Sequence, residues 1–590
     1  MLIEKRATDA QSYELAKQAG LTDVQAQIVA ARMRFENLEQ VRQFMQPSLA
    51  DSLPPPHLMK DMEKAAERFA QAIIGGETIA LSTDFDSDGC SSCSILYSAL
   101  INYFSVPRER IVPHVSLRMK HGYGLSKGAV DEIFMEAFGR KPPTLLITAD
   151  HGSSDQVGVE YYLEKMKEQG MSGDVIITDH HEIPSHGHPK AAYACCNPKR
   201  EDCTYPEPSV CGAVVAYLLV AQTRKVLLEK GWQVKPNHGV LLSYGGLATI
   251  SDVMDLRRPA NRAIVQNALK QINRKALPAW SVLKQEASNQ TVWAETLAFG
   301  AAAAINAASR TGRDGWIAVQ FMTAITNEMA SKYWLELKKA NKERQDIEAS
   351  LLEDAITIAQ WQNDNGRKTL VVYLKNGHAG VNGIVCSRIK DRFGKPTIVL
   401  SPVSGAVTGS ARSIEGFDIR EAMEKTFEKY KDICIKFGGH EQAAGLTVYP
   451  EKVSEFIDAF EDVAGSMMDN VVLGGVIRYD FDFTDYPINE LLYAELQRLE
   501  PYGQKFEKPL FVIRAKAFDL KPIGANKNHL RMKLQTKHGS IAAMWFRFRF
   551  DESEPIPIED GLEYRFVVTL SKNYFNGQST LQLLVEYVEL

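Results

Sequence analysis

Apolar positions along the chain follow three different periods. Over the first fifty or so residues they recur at helical spacing, as in VQAQIVAARMRF and LEQVRQFMQ, and stop at Leu53-Pro54-Pro55-Pro56, where consecutive prolines enforce an extended chain. Residues 1–53 therefore read as a helical lead-in. A repeated unit follows: a short continuous apolar run, then acids, then an amphipathic helix. The runs are Thr78–Ser82 before DFDSDG, Thr144–Thr148 before ADHG, Asp174–Thr178 before DHH, and a fourth that ends in ISD at Asp252. Continuous apolar strands alternating with helices predict a parallel sheet covered on both faces. In such sheets ligands sit beyond the carboxyl ends of the strands, which is where these acids fall.

Residues 54–317 form this first α/β domain. Residues 318–362 contain no Gly or Pro and predict one long helix connecting two domains. A second α/β region, 363–470, carries the strands TLVVYL and PTIVLS and the Gly-rich segment FGGHEQAAG. From 471 to 590 the pattern changes to short alternating strands (VIRYDFDF, LFVIRAKAF, LRMKLQ, YRFVVTL), which predict a small OB-like β-barrel. The fold class is thus α/β: a parallel-sheet domain, a connector helix, a second α/β domain and a C-terminal barrel.

Composition narrows the class. No run of 18 apolar residues occurs, and MLIEKRATDAQ has no apolar signal region, so no membrane partner and a cytoplasmic location are expected. Eight unevenly spaced cysteines do not make a secreted disulfide framework. Cys90 and Cys93 follow an acidic loop that disfavours thiolates. The group Cys195, Cys196, Cys203, Cys211, His186 and His188 lacks the paired spacing of a zinc site. Net charge is −5, yet residues 501–550 carry eleven Lys/Arg against Glu507 and Asp519. That stretch, which includes Lys533, is interleaved with Tyr502, Phe506, Phe511, Phe518, Trp545, Phe546, Phe548 and Phe550. Basic grooves with aromatic platforms suit single-stranded nucleic acid, although most of these rings must fill the barrel, leaving one or two to stack on bases.

The chemistry is concentrated at the ends of the apolar runs: Asp84, Asp86 and Asp88 before Gly89, Asp150 with His151, Asp179 with His180 and His181, and Asp252. Position 12 counted from Asp84 is Ile95 rather than Glu, which excludes an EF-hand. So many acids at one sheet edge repel unless cations sit among them. Carboxylates mixed with imidazoles suit Mn²⁺, and also Mg²⁺ or Zn²⁺, and two such ions suit in-line hydrolysis of a phosphoester.

DFDSDG, TADHG, TDHHE and ATISDVMDL resemble, in order and spacing, the four motifs of the DHH phosphoesterase superfamily. GHAGVNGIVCSRIKDRFGKPTIVLS, TGSARSIEGFDI and FGGHEQAAGL resemble its associated DHHA1 domain. With INAASR, LEPYG and the terminal NYFNG…LQL, the likeness covers residues 30–590 and is greatest to the RecJ-type single-strand-specific 5′→3′ DNA exonucleases. The resemblance implies two ions, Mn²⁺ or Mg²⁺, held by Asp86, Asp88, Asp150, His180 and Asp252, with Asp84 beside them as ligand or base. It implies that His181 contacts the scissile phosphate or leaving group and that Asp179 orients the histidines. Arg310, Ser387, Arg388, Ser410, Arg412 and a Gly438-Gly439-His440 turn are implied as phosphate contacts. The implied substrate is single-stranded DNA in repair and recombination, with a single-strand-binding protein or a helicase as candidate partner. A DHH phosphodiesterase for short oligonucleotides or cyclic dinucleotides and a non-catalytic DNA-binding scaffold are the competing readings. Two departures concern substrate grip and end preference: Ala304 stands where the family usually has Arg, and Lys505-Phe506-Glu507 where it usually has Gly-Asn-Pro.

Overall fold

Three strands of a five-stranded parallel sheet end in acids. In the computed structural model, which describes residues 2–590 except 119, 289, 404, 469–470, 472, 550–551 and 576–577, a first short strand β1 (Leu2–Lys5) precedes β2 (Thr78–Thr83), β3 (Ile111–Val115), β4 (Pro143–Ala149), β5 (Asp174–Thr178) and β6 (Ala194–Cys196). The last five pair in the order β3-β2-β4-β5-β6. The chain leaves β2 to one side and returns to the other, so the switch point, where an open α/β sheet binds its ligand, lies between β2 and β4. Register then decides which residues meet there. Thr83 pairs with Ala149, and Ala149 with Thr178, so Asp84, Asp150 and Asp179 leave the sheet at one level.

Alternation sends Ile79, Leu81, Leu145, Ile147 and Ile176 to one face and Ala80, Leu146, Val175 and Ile177 to the other. The first set belongs to a core that also contains Val24, Ile28 and Phe44 of the lead-in and Phe511, Ile513 and Leu583 of the C-terminal barrel. The joint between these parts is polar as well as apolar. Buried Arg32 donates to Asp480 (2.9 Å). Buried Arg262 donates to the carbonyls of Phe44, Leu499 and Pro501, and its guanidinium lies 4.1 Å from the Phe44 ring centroid and 5.0 Å from that of Phe506. Phe506, flanked by the exposed Lys505 and Glu507, therefore plugs this joint.

The second α/β region has its own cores. Its strands β7 (Leu370–Tyr373), β8 (Thr397–Val403), β9 (Ala406–Arg412), β10 (Cys434–His440) and β11 (Ala443–Val448) pair as β10-β11-β9-β8-β7, parallel only between β7 and β8. After β12 (Val476–Tyr479) and β13 (Phe481–Asp482) come β14 (Phe511–Ile523), β15 (His529–Thr536), β16 (Gly539–Trp545), β17 (Glu563–Phe575) and β18 (Gln578–Glu589). Pairing of β14 with both β15 and β17 closes these five strands into an OB-like barrel.

Four expectations change. The lead-in is not purely helical, because β1 pairs in parallel with β12. The connector helix runs Asn327–Asp364, started by the Thr326 side chain accepting from Met329 N–H; Ala318–Met322 belongs to a separate helix, Trp316–Met322. The run before Asp252 is the buried helix Leu242–Ser251, packed on Pro259–Asn273 where Gly246 faces Ala268, and not a strand; a short apolar run has no period that separates the two. Gly438, Gly439 and His440 end strand β10 rather than form a turn. No helix among the described residues is long and apolar enough to cross a membrane.

Candidate metal centre and phosphate cradle

The turn after β2 is shaped by its own acids. Asp86 caps the Ser87–Ser98 helix, one oxygen accepting from Asp88 N–H (2.9 Å) and Gly89 N–H (3.0 Å). A Cβ at position 89 would stand 2.3 Å from the Asp84 carbonyl oxygen, so only glycine permits this approach. Asp88 accepts from the Gly212 (2.8 Å) and Ala213 (2.7 Å) N–H groups at the start of the Gly212–Glu229 helix, where backbone dipoles favour an anion. Position 212 is also confined to glycine, because a Cβ would lie 2.7 Å from Asp150 Oδ1. Asp150 itself has φ 63°, a left-handed conformation that Asp and Asn tolerate best among non-glycine residues. His151 holds that turn from within the sheet, Nε2 at 3.3 Å from Ser82 Oγ and Nδ1 at 3.2 Å from Asp155.

Ligating atoms within 4.8 Å of one another form two groups, Asp84, Asp86 and Asp150, and Asp88, His180 and Asp252, joined by a third, Asp150, His180 and His181. His180 Nε2 lies 3.2 Å from Asp150, 3.6 Å from Asp88 and 3.5 Å from Asp252, so Asp150 borders both groups. Their protonation shows the strain. Burial and then Asp86 push Asp84 well above the carboxylate range and Asp88 up to about 6. Burial and then Asp88 raise Asp150 well above it, and Asp252 to about 8. Burial lowers His180 to about 3, leaving a neutral imidazole. Asp84 Oδ1, Asp150 Oδ1 and both His180 ring nitrogens are buried without a hydrogen bond among the described residues. Buried polar atoms are rarely left so, and a hard or borderline divalent cation is the partner that oxygen and imidazole donors fit.

Asp179 organises the neighbouring turn. One oxygen accepts from His180 N–H (2.7 Å), His181 N–H (3.1 Å) and His181 Nδ1 (2.8 Å), the other from Ser153 N–H (2.9 Å). Burial opposes the charge on both partners, yet this pairing holds Asp179 below its usual range and lifts His181 to about 9. Tyr123 Oη also lies 2.9 Å from His181 Nδ1, so only Nε2 is left to meet a substrate.

The cationic residues gather opposite. Arg310 donates to the Gly380 carbonyl (3.0 Å), and burial, then Arg118, Arg344 and Arg412, lower its pKa to about 10, with Asp86 opposing. Cross-strand register sets Arg412 against Ala443, which pairs with His440, and Ser410 against Gly445, which pairs with Gly438. Arg412, Ser410 and the end of β10 therefore share one edge of the second sheet. Ser387 Oγ donates to its own helix at the Gly383 carbonyl, and Arg388 donates to Glu348 (3.2 Å). Lys533 pairs with Asp519 (2.7 Å) on the barrel surface. A cleft of about 1530 Å³ lies elsewhere, between the connector, the second domain and the barrel; its lining sets Lys342, Arg344, Arg388, Arg392, Arg547 and Arg549 against Asp346, Glu348, Glu353, Asp391, Glu552 and Glu554, with Asn528 and Phe548 among them. Of the named aromatics, Tyr502, Phe506 and Phe511 are buried and Trp545 and Phe548 pack on the core, while Phe518 and Phe546 are exposed; Phe550 lies outside the described residues.

Arg118, Tyr123 and Arg344 were not marked by the sequence. The first two follow β3, whose run IVPHV contains a proline and ends in no acid; that proline is tolerated because β3 is an edge strand. Arg344 is one of many charges on a solvated helix.

Family models match in three consecutive blocks: the DHH family N-terminal domain over residues 78–242, the DHHA1 domain over 366–466 and the RecJ OB domain over 479–587. Fold and site together thus define a DHH-type protein with an appended OB barrel. A single-stranded-DNA-specific exonuclease RecJ from Haemophilus influenzae is 32% identical over 91% of this chain and 92% of its own length; one from Escherichia coli is 30% identical over 90% of each. The crystal structure of Thermus thermophilus RecJ in complex with Mn²⁺ superposes with a TM-score of 0.75 at 23% identity, covering 100% of this chain and 80% of the other. The chain belongs to the RecJ family.

Proposed function

We propose that this chain is a metal-dependent exonuclease that hydrolyses single-stranded DNA from the 5′ end to 5′-mononucleotides in DNA repair and recombination. The observation that carries this reading is the pair of ligand groups that meet at Asp150, in which Asp84 Oδ1, Asp150 Oδ1 and both His180 ring nitrogens lack a hydrogen bond among the described residues, with Arg310 close enough to feel the charge of Asp86. Asp84, Asp86 and Asp150 would hold one Mn²⁺ or Mg²⁺, and Asp88, Asp150, His180 and Asp252 a second. Bound ions would neutralise the acids, activate the attacking water and take up charge on the phosphoryl oxygens.

The protein's own residues do the rest. His181, charged at neutral pH and fixed through Nδ1, presents Nε2 to a phosphoryl oxygen or hands a proton to the leaving oxygen. Asp179 orients it and the metal-side His180. Arg310, Arg412 and Ser410, with Gly438, Gly439 and His440 at the same sheet edge, grip the terminal phosphate, because arginine offers planar, paired donors to phosphate oxygens. Ser387 and Arg388 extend that grip toward the connector cleft. Arg547, with Arg549 beside it, makes the cleft the track for the following nucleotides, a role that Arg344 and Arg388, both paired with Glu348, and Lys533, paired with Asp519, share less. A cytoplasmic location, and a single-strand-binding protein or helicase that delivers strands to this cleft, belong to the same proposal.

The test is digestion of a single-stranded oligonucleotide labelled at either end, with Mn²⁺ and with chelator. Release of labelled mononucleotide first from the 5′-labelled strand, abolished by chelator, is expected. Release first from the 3′-labelled strand would reverse the polarity, and activity only on dinucleotides or cyclic dinucleotides would replace the substrate.

A further inference from the structure

A second cluster of ligating atoms lies on the outer side of β3, away from the acids just described. His114 belongs to β3, His121 to the loop that follows, and Glu132 and Glu136 to the Lys127–Glu136 helix that covers the strand. The ligating atoms of His114, His121 and Glu132 lie within 4.8 Å of one another. His121 Nε2 is 3.2 Å from Glu132 Oε2, and His114 Nδ1 is 3.5 Å from Glu136 Oε1 and 4.0 Å from Glu132 Oε2. A tetrahedral ion with bonds of about 2.0–2.1 Å keeps its ligand atoms about 3.3–3.4 Å apart, so the His121–Glu132 pair already stands near that spacing and the His114–Glu132 pair must close by about 0.6 Å.

Burial supplies an independent observation. The side chains of His114 and His121 are 2% and 1% exposed. His121 Nε2 makes no hydrogen bond among the described residues, although it is aimed at the Glu132 carboxylate. The cluster opens on a cleft of about 610 Å³ whose lining includes His114, Glu132, Glu136 and Asp314, giving an ion a route in past an acidic wall.

We propose that His114, His121 and Glu132, with solvent completing the shell, bind a divalent transition ion of the Zn²⁺ class at a site separate from the catalytic acids. Two imidazoles and a carboxylate are a zinc donor set, whereas Mg²⁺ and Ca²⁺ favour oxygen alone. Coordination through His121 Nε2 moves the ring proton to Nδ1, so the 3.2 Å hydrogen bond from Leu117 N–H is given up. Lys120, now paired with Glu132, turns to solvent. The gain lies in the loop between β3 and the Lys127–Glu136 helix. That loop carries Arg118, stacked 4.2 Å over the Phe85 ring beside Asp84 and Asp86, and Tyr123, bonded to His181. An ion bound at both ends of it fixes two side chains that face the catalytic acids.

The experiment counts metal in the full chain after chelator treatment, dialysis against Zn²⁺ and removal of free ion. His121→Gln is expected to hold one Zn²⁺ fewer than wild type, and Glu132→Gln to behave alike. Asp150→Asn is expected to keep that equivalent. With Co²⁺ as probe, visible bands of a four- or five-coordinate ion should persist in Asp150→Asn and vanish in His121→Gln. A His121→Gln chain that melts as wild type does and binds as much Zn²⁺ would overturn the proposal. So would loss of every equivalent in Asp150→Asn.

Discussion

The two sides of the active cleft fail in opposite directions. On the DHH side, burial and mutual repulsion push Asp84, Asp88, Asp150 and Asp252 up, toward their neutral forms. On the facing side, burial and neighbouring guanidinium groups push Arg310 down to about 10. Each half is electrostatically incomplete, and each lacks the charge that a metal-assisted phosphodiesterase takes up, cations on one side and phosphates on the other. Several cations on the barrel surface differ, since Lys508, Lys527, Lys533 and Lys537 already have carboxylate partners. Charge that is paired and solvated adds little; charge that is buried and unpaired awaits a ligand.

Asp150→Asn breaks the acid side. It should lower hydrolysis by at least about 100-fold, the scale on which one preorganised charge-stabilising group acts, while circular dichroism stays native, because Asn tolerates the left-handed backbone at this position. Asp150→Ala removes the same carboxylate but adds backbone strain of about 1–2 kcal/mol. Removing residues 471–590 should give an insoluble chain rather than a short-substrate enzyme. It deletes the partner strand of β1, the Asp480 partner of Arg32 and the carbonyls that hold Arg262. A soluble, cooperatively melting truncation would show that the barrel is separable.

On the arginine side, Arg412→Ala should reduce kcat/KM on a 5′-phosphorylated strand by about 10- to 100-fold, the loss of a charge-assisted pair of about 1.5–3 kcal/mol. The same change should matter less on a strand without terminal phosphate. The smallest effects separate cleft from surface. Arg547→Glu should flatten the slope of log K against log salt by about 0.7 for each phosphate of a single strand that is no longer neutralised. Lys533→Glu should change it less, because Asp519 already neutralises that lysine. Equal slopes in the two variants would remove the cleft from the substrate path.

Legibility followed the same divide. Strand-end acids were visible because a continuous apolar run followed by carboxylates has few structural uses, and parallel register then placed Asp84, Asp150 and Asp179 at one level. Asp252 was read at the end of a strand and follows a helix instead, since LLSYGGLATIS is apolar on every side and carries no period. Arg118 and Tyr123 were invisible because their value comes from a loop closing over the sheet edge. The barrel was legible as alternating strands, but its fusion with the lead-in was not. β1 is four residues long, and Arg262 binds backbone carbonyls, which leave no mark in sequence.

The acids of the DHH side are held in conflict until cations separate them. Between pH 6.5 and about 8, Asp84, Asp150, Asp252 and His181 all have folded-state pKa values above their ordinary ones. The folded chain then binds more protons than the unfolded chain, so metal-free stability falls as pH rises through this window. The decisive measurement is the Tm at pH 8 of wild type and Asp150→Asn, each with chelator and with Mn²⁺. Wild type should gain markedly from Mn²⁺, while Asp150→Asn should melt above wild type in chelator and gain less from the ion. A wild-type Tm indifferent to Mn²⁺, or an Asp150→Asn chain that melts below wild type in chelator, would contradict the account.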